Sequence, residues 1–305
     1  MQVNYVNQAL KGVKESFDNG AANDILKYRD SRIFDFETSS EFQEIFTSTE
    51  GLTGSKELAE SETPPTLKLE DGYAVTLTDK RFGGAIEVTE VDRVRMKDST
   101  TAVDKYITRQ RNQLLLNNRH LFLSNVFALL NDAFAGATYL APDGDPLCST
   151  SHTWKSGGTF SNKGTAALSE QAIDDLEALG GSFTDPAGVE MPLDFDTIIV
   201  KKGSSAAKMA KKLFAHHIAP TAVADINIYE GTKTIIETPY ITSATAWFAM
   251  DSRYPSPLYV GINEMPQLRD PIKQNNEAIR SNVTGFYKVG INNMPWSFYG
   301  SDGTT

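Results

Sequence analysis

The chain has 305 residues, of which 40% are hydrophobic and 22% charged, and its formal net charge is -10. This length allows roughly two domains, and the acidic charge disfavours a protein whose main role is to wrap nucleic acid. A single cysteine, Cys148, excludes a framework of intrachain disulfides. The sequence has neither the ~18-residue apolar run of a membrane span nor the pattern of a secretory signal. We therefore expect a protein made in the cytoplasm, with no membrane partner.

The first forty residues form a segment with few apolar side chains. Val6, Leu10, Val13 and Phe17 recur at loose helical spacing, which predicts one or two short helices followed by an extended stretch. So few apolar residues cannot form a core of their own. We therefore expect this arm to lie on another part of the fold or on a neighbouring chain.

A long polar loop follows, because residues 50–65 read EGLTGSKELAESETPP, a composition typical of a solvated, mobile loop. The flanking sequences, FQEIFTS and TLKLEDGYAVTLTDKRFGGAIEVTEV, contain alternating apolar and polar residues, which predicts strands with one covered face. A long hairpin with a polar tip is not stable in isolation. It therefore needs a partner surface, which indicates assembly.

The strongest helical pattern covers residues 98–136. It begins with good N-cap residues in the sequence DSTT and ends at Gly136. Its apolar stripe consists of Val103, Ile107, Leu114, Leu121, Val126, Leu129 and Ala133. Some 35 residues would make a rod of roughly 50 Å. We interpret it as a spine on which the rest of the fold is laid.

Predicted helices and strands are mixed beyond Gly136. SEQAIDDLEALGG and SSAAKMAKKLFAHH have the spacing and caps of helices, whereas FDTIIVKKG, INIYEGTKTIIETPYI and ATAWFAMD have the composition of strands. The ending, AIRSNVTGFYKVGINNMPWSFYGSDG, predicts a final hairpin that returns to the spine.

Cys148 lies four residues before His152 in the loop sequence GDPLCSTSHTWKSGG, so the pair could be a nucleophile and its base. The surrounding residues are typical of a β-turn loop, and the sequence supplies neither an orienting group nor oxyanion donors beside them. A zinc site would need further ligands, and the chain has no second cysteine. We therefore interpret the segment as a structural loop, with a Cys148–His152 hydrolase as the alternative.

Three other patterns also favour structural interpretations. PDGD at residues 142–145 lacks the further carboxylates of a calcium loop, which favours a turn. The lysine cluster KKGSSAAKMAKK lacks interleaved aromatic residues, which favours a solvated helix face over a nucleic-acid site. Lys56, Lys68 and several asparagines are the residue types of an isopeptide crosslink, which composition alone cannot support. No motif predicts an enzyme, a metal site or a cofactor.

The order of these parts, from arm and hairpin to long helix, mixed domain and returning strands, resembles the major capsid proteins of tailed phages. These have the Hong Kong 97-type fold, and the likeness is strongest to the Mu-like head-subunit branch. DGDPLCSTSHTWKSGGTFSN is similar to that branch's Asp-Gly-x-Pro-Leu-x-Ser-x-x-His segment with its Gly-rich turn and Ser-Asn. The matching positions are Asp143, Gly144, Pro146, Leu147, Ser149, His152, Gly158, Ser161 and Asn162. Cys148 stands where phenylalanine is common, and Trp154 near where a proline often follows the histidine.

The resemblance covers nearly the whole chain and implies an α+β fold, the tailed-phage capsid fold, in four parts. Residues 1–43 would be the N-terminal arm, and residues 44–90 the extended β-hairpin loop that lies over a neighbouring subunit. Residues 91–135 and 273–305 would form the peripheral domain with the spine helix. Residues 136–272 would form the mixed α/β axial domain.

The resemblance also implies a structural function. Many copies would self-assemble in the host cytoplasm, as hexamers and pentamers, into the icosahedral shell that encloses the double-stranded DNA genome. Further expected partners are the portal, scaffolding, decoration and head-completion proteins, and packaged DNA held non-specifically. Because Met1 leads almost directly into the arm, a scaffold would be a separate protein. An encapsulin-like nanocompartment, which encloses cargo enzymes within the same fold, is the alternative.

Charged and aromatic side chains of the hairpin, the spine helix and the axial loop are our candidates for contacts between subunits. They are Lys56, Glu57, Glu60, Glu62, Lys68, Arg81, Arg109, Arg111, Arg119, His152 and Trp154.

Overall fold

The computed structural model describes residues 2–25, 28, 32–52, 58, 60, 62–63, 69–96, 99–215 and 227–304. Its helices are α1 (Gln2–Ile25), α2 (Glu90–Arg95), α3 (Thr100–Asn131), α4 (Glu170–Gly181) and α5 (Ser205–Phe214). Its strands are β1 (Asp35–Thr38), β2 (Gln43–Leu52), β3 (Leu69–Thr78), β4 (Lys80–Val88), β5 (His152–Thr153), β6 (Thr159–Phe160), β7 (Lys163–Gly164), β8 (Thr197–Lys201), β9 (Thr234–Thr238), β10 (Trp247–Met250), β11 (Leu258–Leu268), β12 (Ile272–Lys273), β13 (Ile279–Ile291) and β14 (Phe298–Ser301). In the described ranges, none of the helices combines the length and apolar content that crossing a bilayer requires.

Helix α3 is the longest element, and its 32 residues form a rod of about 48 Å. It begins after Ser99 and stops at Asn131, short of the predicted end at Gly136. The carboxylate of Asp132 accepts hydrogen bonds from three backbone N–H groups of the following turn, which stabilises the exit from the helix. Gly136 closes this turn with φ +59°, a left-handed conformation that favours glycine.

Most of the predicted apolar stripe of α3 is buried. The buried members are Val103, Ile107, Val126, Leu129 and Ala133. Leu121, however, is 42% exposed, and Phe122 and Phe127 are buried in its place. A straight helix has 3.6 residues per turn, so a strict seven-residue spacing drifts around its surface along its length.

The first sheet has β13 at its centre. β11 and then β12 pair with one edge of β13, β4 pairs antiparallel with its other edge, and β1 adds to β11 in parallel. Helix α1 and the first half of α3 pack on this sheet, and the shared cluster includes Leu10, Phe17, Ile86, Ile107 and Ile279. The arm helix therefore packs on its own chain, which is the first of the two alternatives that we expected.

The second sheet has the strand order β7-β14-β10-β8-β9. Helices α4 and α5 pack in one apolar cluster with this sheet, which includes Trp247 and Leu176. A second cluster joins the sheet to the latter half of α3 and to the first sheet, and it includes Phe127, Phe248 and Val260. The spine helix thus lies in the core that the two sheets share.

The sheets combine segments that the predicted division places in different parts of the chain. β4 from the predicted hairpin loop and β11 from the predicted axial part both pair with β13 in the first sheet. β14 pairs with β10 in the second sheet, so it does not form the predicted final hairpin with β13. Backbone pairing between distant segments decides these positions. A side-chain contact joins distant segments as well, since the side-chain amide of buried Asn162 donates to the carbonyl oxygens of Leu147, Pro295 and Phe298. The grouping into arm, peripheral and axial domains stays a prediction.

The helices predicted after Gly136 are present. Ser169 caps α4 and Ser204 caps α5, each through a hydrogen bond from a backbone N–H to the serine hydroxyl. The predicted extension of α5 to His217 lies outside the described residues.

Candidate functional site

Cys148 and His152 do not form a nucleophile–base pair. The Cys148 side chain is buried, and this burial raises the pKa of the thiol well above its usual range. His152 is fully buried, with Nδ1 2.7 Å from Asp143 Oδ2 and Nε2 3.3 Å from the carbonyl oxygen of Leu147. Both imidazole nitrogens therefore hydrogen-bond within the protein, and burial disfavours the thiolate form that a cysteine nucleophile requires.

The buried Asp143–His152 pair fixes the start of the β5–β6 hairpin. Asp143 also accepts hydrogen bonds from the backbone N–H groups of Thr153 and Asp145. Burial acts to raise the pKa of Asp143, but the hydrogen bond and charge of His152 and these N–H groups outweigh it and lower the pKa. Asp143, Asp145 and His152 bring three ligand-type atoms within 4.8 Å, yet the Asp143 and His152 atoms already hydrogen-bond within the protein. The PDGD sequence is thus a turn in this structure.

The hairpin carries the turn at residues 154–158, which we call the docking turn. The Trp154 ring anchors it by packing on Phe160 with ring centroids 5.0 Å apart. The backbone N–H of Trp154 donates to the carbonyl oxygen of Gly158 at 3.1 Å. Gly157 and Gly158 have φ +104° and +91°, values that favour glycine. The backbone N–H groups of Lys155 and Ser156 donate to a residue outside the hairpin.

These groups hold a carboxylate from β2. Glu50 Oε1 accepts a hydrogen bond from Lys155 N at 3.0 Å, and its Oε2 accepts bonds from Ser156 N and Ser156 Oγ, both at 2.8 Å. Lys155 Nζ in turn donates to the carbonyl oxygen of Gly72 on β3 at 3.0 Å. Glu50 is buried, whereas the sequence placed it in the solvated loop. Nothing in the local pattern could pair residue 50 with residues 155 and 156.

Strands β2 and β3 form the antiparallel ribbon, and its root holds a buried charge cluster around Lys288. The Lys288 side chain is fully buried, and its Nζ lies 3.2 Å from Glu44 Oε1 and 3.8 Å from Asp79 Oδ1. It also donates to Ser39 Oγ at 3.0 Å. Burial acts to raise the pKa of Glu44, but hydrogen bonds from Ser39, Tyr259 and Lys288 outweigh it and lower the pKa. Sequence reasoning missed Lys288, which lies in an ordinary strand pattern.

One face of the ribbon is covered by its own chain. The ring of Phe46 packs on Tyr259 with centroids 4.6 Å apart, and Leu77 occupies the space that a side chain at Gly290 would need. The opposite face is exposed, and Ile45 on it has 71% of its surface in solvent. We expected the ribbon to need a partner surface, and its own subunit supplies that surface for one of the two ribbon faces.

The predicted contact residues fall into three groups. Lys56, Glu57 and Lys68 lie outside the described residues. Glu60, Glu62, Arg81 and Arg109 are exposed, and Arg111 and Arg119 are half-buried. His152 and Trp154 are buried within their own chain, where they support the docking turn, and their contact with a neighbour stays a prediction.

Comparison with known proteins decides the family. The model of a family described as phage capsid protein matches residues 73–294, which is most of the chain. The chain belongs to the phage capsid protein family. It is therefore a major capsid protein, a structural component of the phage virion. The Mu-like branch stays a prediction.

Solved capsid structures have the same fold. A protein of Microbacterium phage Oxtober96 has a TM-score of 0.51 at 12% identity, with 88% of each chain covered. The capsid of Ralstonia phage GP4 has a TM-score of 0.51 at 11% identity, covering 88% of this chain and 87% of that one. The bacteriophage JBD30 capsid also reaches 0.51 at 11% identity, covering 70% and 90%. A comparison with curated protein sequences finds no match.

The residues that hold the ribbon on its subunit lie partly inside and partly outside the range that the family model matches. The docking turn, Lys288 and Asp79 lie within the matched residues 73–294, whereas Glu50 and Glu44 precede them. The groups that bind the two glutamates thus lie in the part of the chain that the family model matches, and the two glutamates lie in the part before it.

Proposed function

We propose that many copies of this capsid protein assemble, as hexamers and pentamers, into a closed icosahedral shell around the double-stranded DNA of the phage. The observation that carries the proposal is the exposure of large apolar side chains on the ribbon, α2 and α3. Exposed positions on these elements and the ribbon root include Phe42, Ile45, Val91, Val94 and Leu116. Exposed apolar side chains that accumulate on such elements are typical of surfaces that another protein covers.

A shell of this kind needs contacts that do not pair the same patch with itself, since head-to-tail contacts generate rings. The ribbon is suited to such a contact because one face is bound to its own subunit while the other face is exposed. The exposed charges of Glu60, Glu62, Arg81 and Arg109 would set the register between neighbours.

Packaged DNA is a proposed non-specific partner. The exposed side of α5 carries Lys208 and Lys212, whereas Lys211 pairs with Glu237. Against a total charge of -10, this local basic face would hold phosphates while the rest of the subunit repels them. Neutralising Lys208 and Lys212 would then lower the amount of packaged DNA, and unchanged packaging would contradict this role. The proposed protein partners are a portal and scaffolding, decoration and head-completion proteins. Assembly is proposed to take place in the host cytoplasm.

The function is purely structural in this proposal. The buried thiol of Cys148 and the occupied ring nitrogens of His152 support it. A Cys148→Ala variant would form the same particles as the wild type, and a hydrolytic activity lost in that variant would contradict a structural role.

Negative-stain electron microscopy of the protein expressed alone tests the shell. We expect closed shells, tubes or ring-shaped capsomers, whereas a persistent small, monodisperse species would contradict assembly. Nuclease-protected DNA inside particles from phage-infected cells is the expected content. A protein cargo in its place would favour the encapsulin-like alternative.

A further inference from the structure

The docking turn is a binding site for a carboxylate. Two main-chain N–H groups and a hydroxyl converge on Glu50, an arrangement in which successive N–H groups bind an anion. We propose, on the basis of the shell function above, that this contact is a latch. It holds the ribbon on its own subunit both before and after assembly, and so fixes the position of the ribbon face that a neighbouring subunit would meet.

Features of both ribbon strands fit the carboxylate to the turn. The register of β2 and β3 shifts on each side of Glu50, between Thr47 and Thr49 and again between Glu50 and Leu52, and such irregularities re-aim a strand side chain. Opposite, Gly72 leaves the space that Glu50 needs, because a Cβ at that position would collide with Ser48 Oγ and lie 2.8 Å from Glu50 Oε1.

The contact has two states, bound or released into water. A buried carboxylate without donors is far more costly than a paired one, and the docking turn would equally lose the acceptor for its N–H groups. Glu50 is only 2% exposed, so it leaves the turn when this stretch of the ribbon moves as a whole. Whether Glu50 is bound to the docking turn therefore depends on the position of the ribbon.

The carboxylate that the docking turn binds belongs to the same chain and not to a second copy. Between the root and the docking turn the ribbon is held on its own subunit by Lys288, by Phe46 against Tyr259, and by Leu77 over Gly290. These contacts align Glu50 with its own turn, and Lys155 Nζ adds a hydrogen bond to the second strand of the same ribbon.

Hydrogen exchange on the isolated full-length subunit tests the latch directly. In Glu50→Ala we expect the amides of residues 155 and 156 to exchange about tenfold faster or more, because their acceptor is gone. Glu60→Ala, which removes an exposed glutamate from the loop between the same two strands, is the matched control and leaves this exchange unchanged. Gly72→Ala displaces the carboxylate without removing it and gives the same increase. Equal exchange in the wild type, Glu50→Ala and Gly72→Ala would overturn the proposal.

Crosslinking in assembled particles identifies the occupant. Cysteines at positions 71 and 155 leave Glu50 and its donors in place, and they are joined with a flexible bifunctional thiol reagent because the Lys155 side chain reaches the backbone of Gly72, next to residue 71. We expect an internally crosslinked monomer from the Asp71→Cys, Lys155→Cys variant. The matched control, Thr47→Cys with Lys155→Cys, has its ribbon cysteine at an exposed position farther from the docking turn and remains uncrosslinked. A ladder of covalent multimers, or crosslinking equal to that of the control, would overturn the proposal.

Assembly of the variants separates the latch from the shell function. We expect Glu50→Ala to lose closed particles, while Glu190→Ala, at an exposed glutamate outside the proposed contacts between subunits, retains them. If the wild type forms no particles, the shell function fails and the exchange result still stands. If Glu50→Ala has fast exchange but assembles as the wild type does, the role of the latch in assembly is refuted and the shell function survives.

Discussion

The second sheet and the ribbon are built on different principles within one chain. Apolar side chains such as Trp247 and Phe248 bury both faces of the second sheet. The ribbon is held by polar contacts at two points, Lys288 at its root and Glu50 at the docking turn, with fewer apolar contacts between them. Apolar burial is not directional, whereas hydrogen bonds are. The hydrogen bonds and ion pair of the ribbon therefore fix its direction more closely than apolar burial alone would.

The largest effect that we expect comes from the second sheet. Phe248 is 1% exposed and stacks on Phe134 with ring centroids 5.6 Å apart. Phe248→Ala lowers the free energy of unfolding by about 4 kcal/mol, because it removes apolar contacts and leaves a cavity. Urea unfolding of the isolated subunit measures this loss. Val94→Ala, at an exposed position, changes it by less than about 0.5 kcal/mol, and a similar loss in both variants would contradict the role of burial.

The root of the ribbon gives the next largest effect. Lys288→Met leaves Glu44 and the fully buried Asp79 without their cation, which costs about 3 kcal/mol of unfolding free energy. Lys273→Met is the control, since Lys273 pairs with Glu277 at the surface and such pairs contribute little. The comparison between second sheet and ribbon root would fail if Lys288→Met were as stable as Lys273→Met under urea.

The Asp143–His152 pair predicts a pH-dependent stability. The pKa of Asp143 is lower in the folded state than the ordinary value of 3.8, so its contribution is complete above that value and is lost as pH falls through the folded pKa. Asp143→Asn lowers the unfolding free energy near pH 7 by about 2 kcal/mol. It also removes up to about 1.4 kcal/mol per pH unit from the slope below pH 4.

Urea unfolding at several pH values measures this slope. Asp251 and Glu44 also have lowered pKa values, so part of the slope remains in Asp143→Asn. Asp175→Asn, on the exposed side of α4, serves as the control and keeps the slope of the wild type. An unchanged slope in Asp143→Asn would refute the assignment.

The smallest effect on global stability comes from the latch. Gly72→Ala dislodges Glu50 from the docking turn but leaves both sheets intact, so the unfolding free energy changes by less than about 1 kcal/mol. Near-ultraviolet circular dichroism and urea unfolding measure this. A loss as large as that of Phe248→Ala would mean that the ribbon belongs to the cooperative core, and the contrast between the two regions would disappear.

Elements with strong local patterns could be predicted, and contacts between distant segments could not. Ser169 and Ser204 marked the starts of α4 and α5 because a cap is a local interaction. β14 was expected in a final hairpin and instead pairs with β10, which lies about fifty residues earlier in the chain. The likeness of the segment around His152 to a capsid motif was visible, but its burial and its support of the docking turn were not.

The sequence by itself determined the family, the long helix, the mixed class of fold and the two-stranded ribbon, because periodicity, caps and motif spacing are properties of neighbouring residues. Only the tertiary structure decided that Glu50 meets residues 155 and 156, and that Lys288 lies buried beneath Glu44 and Asp79. These contacts join residues about one hundred to two hundred and fifty positions apart. Whether two such polar groups meet depends on how the sheets pack, and packing is set by the summed burial of many side chains that no local pattern encodes.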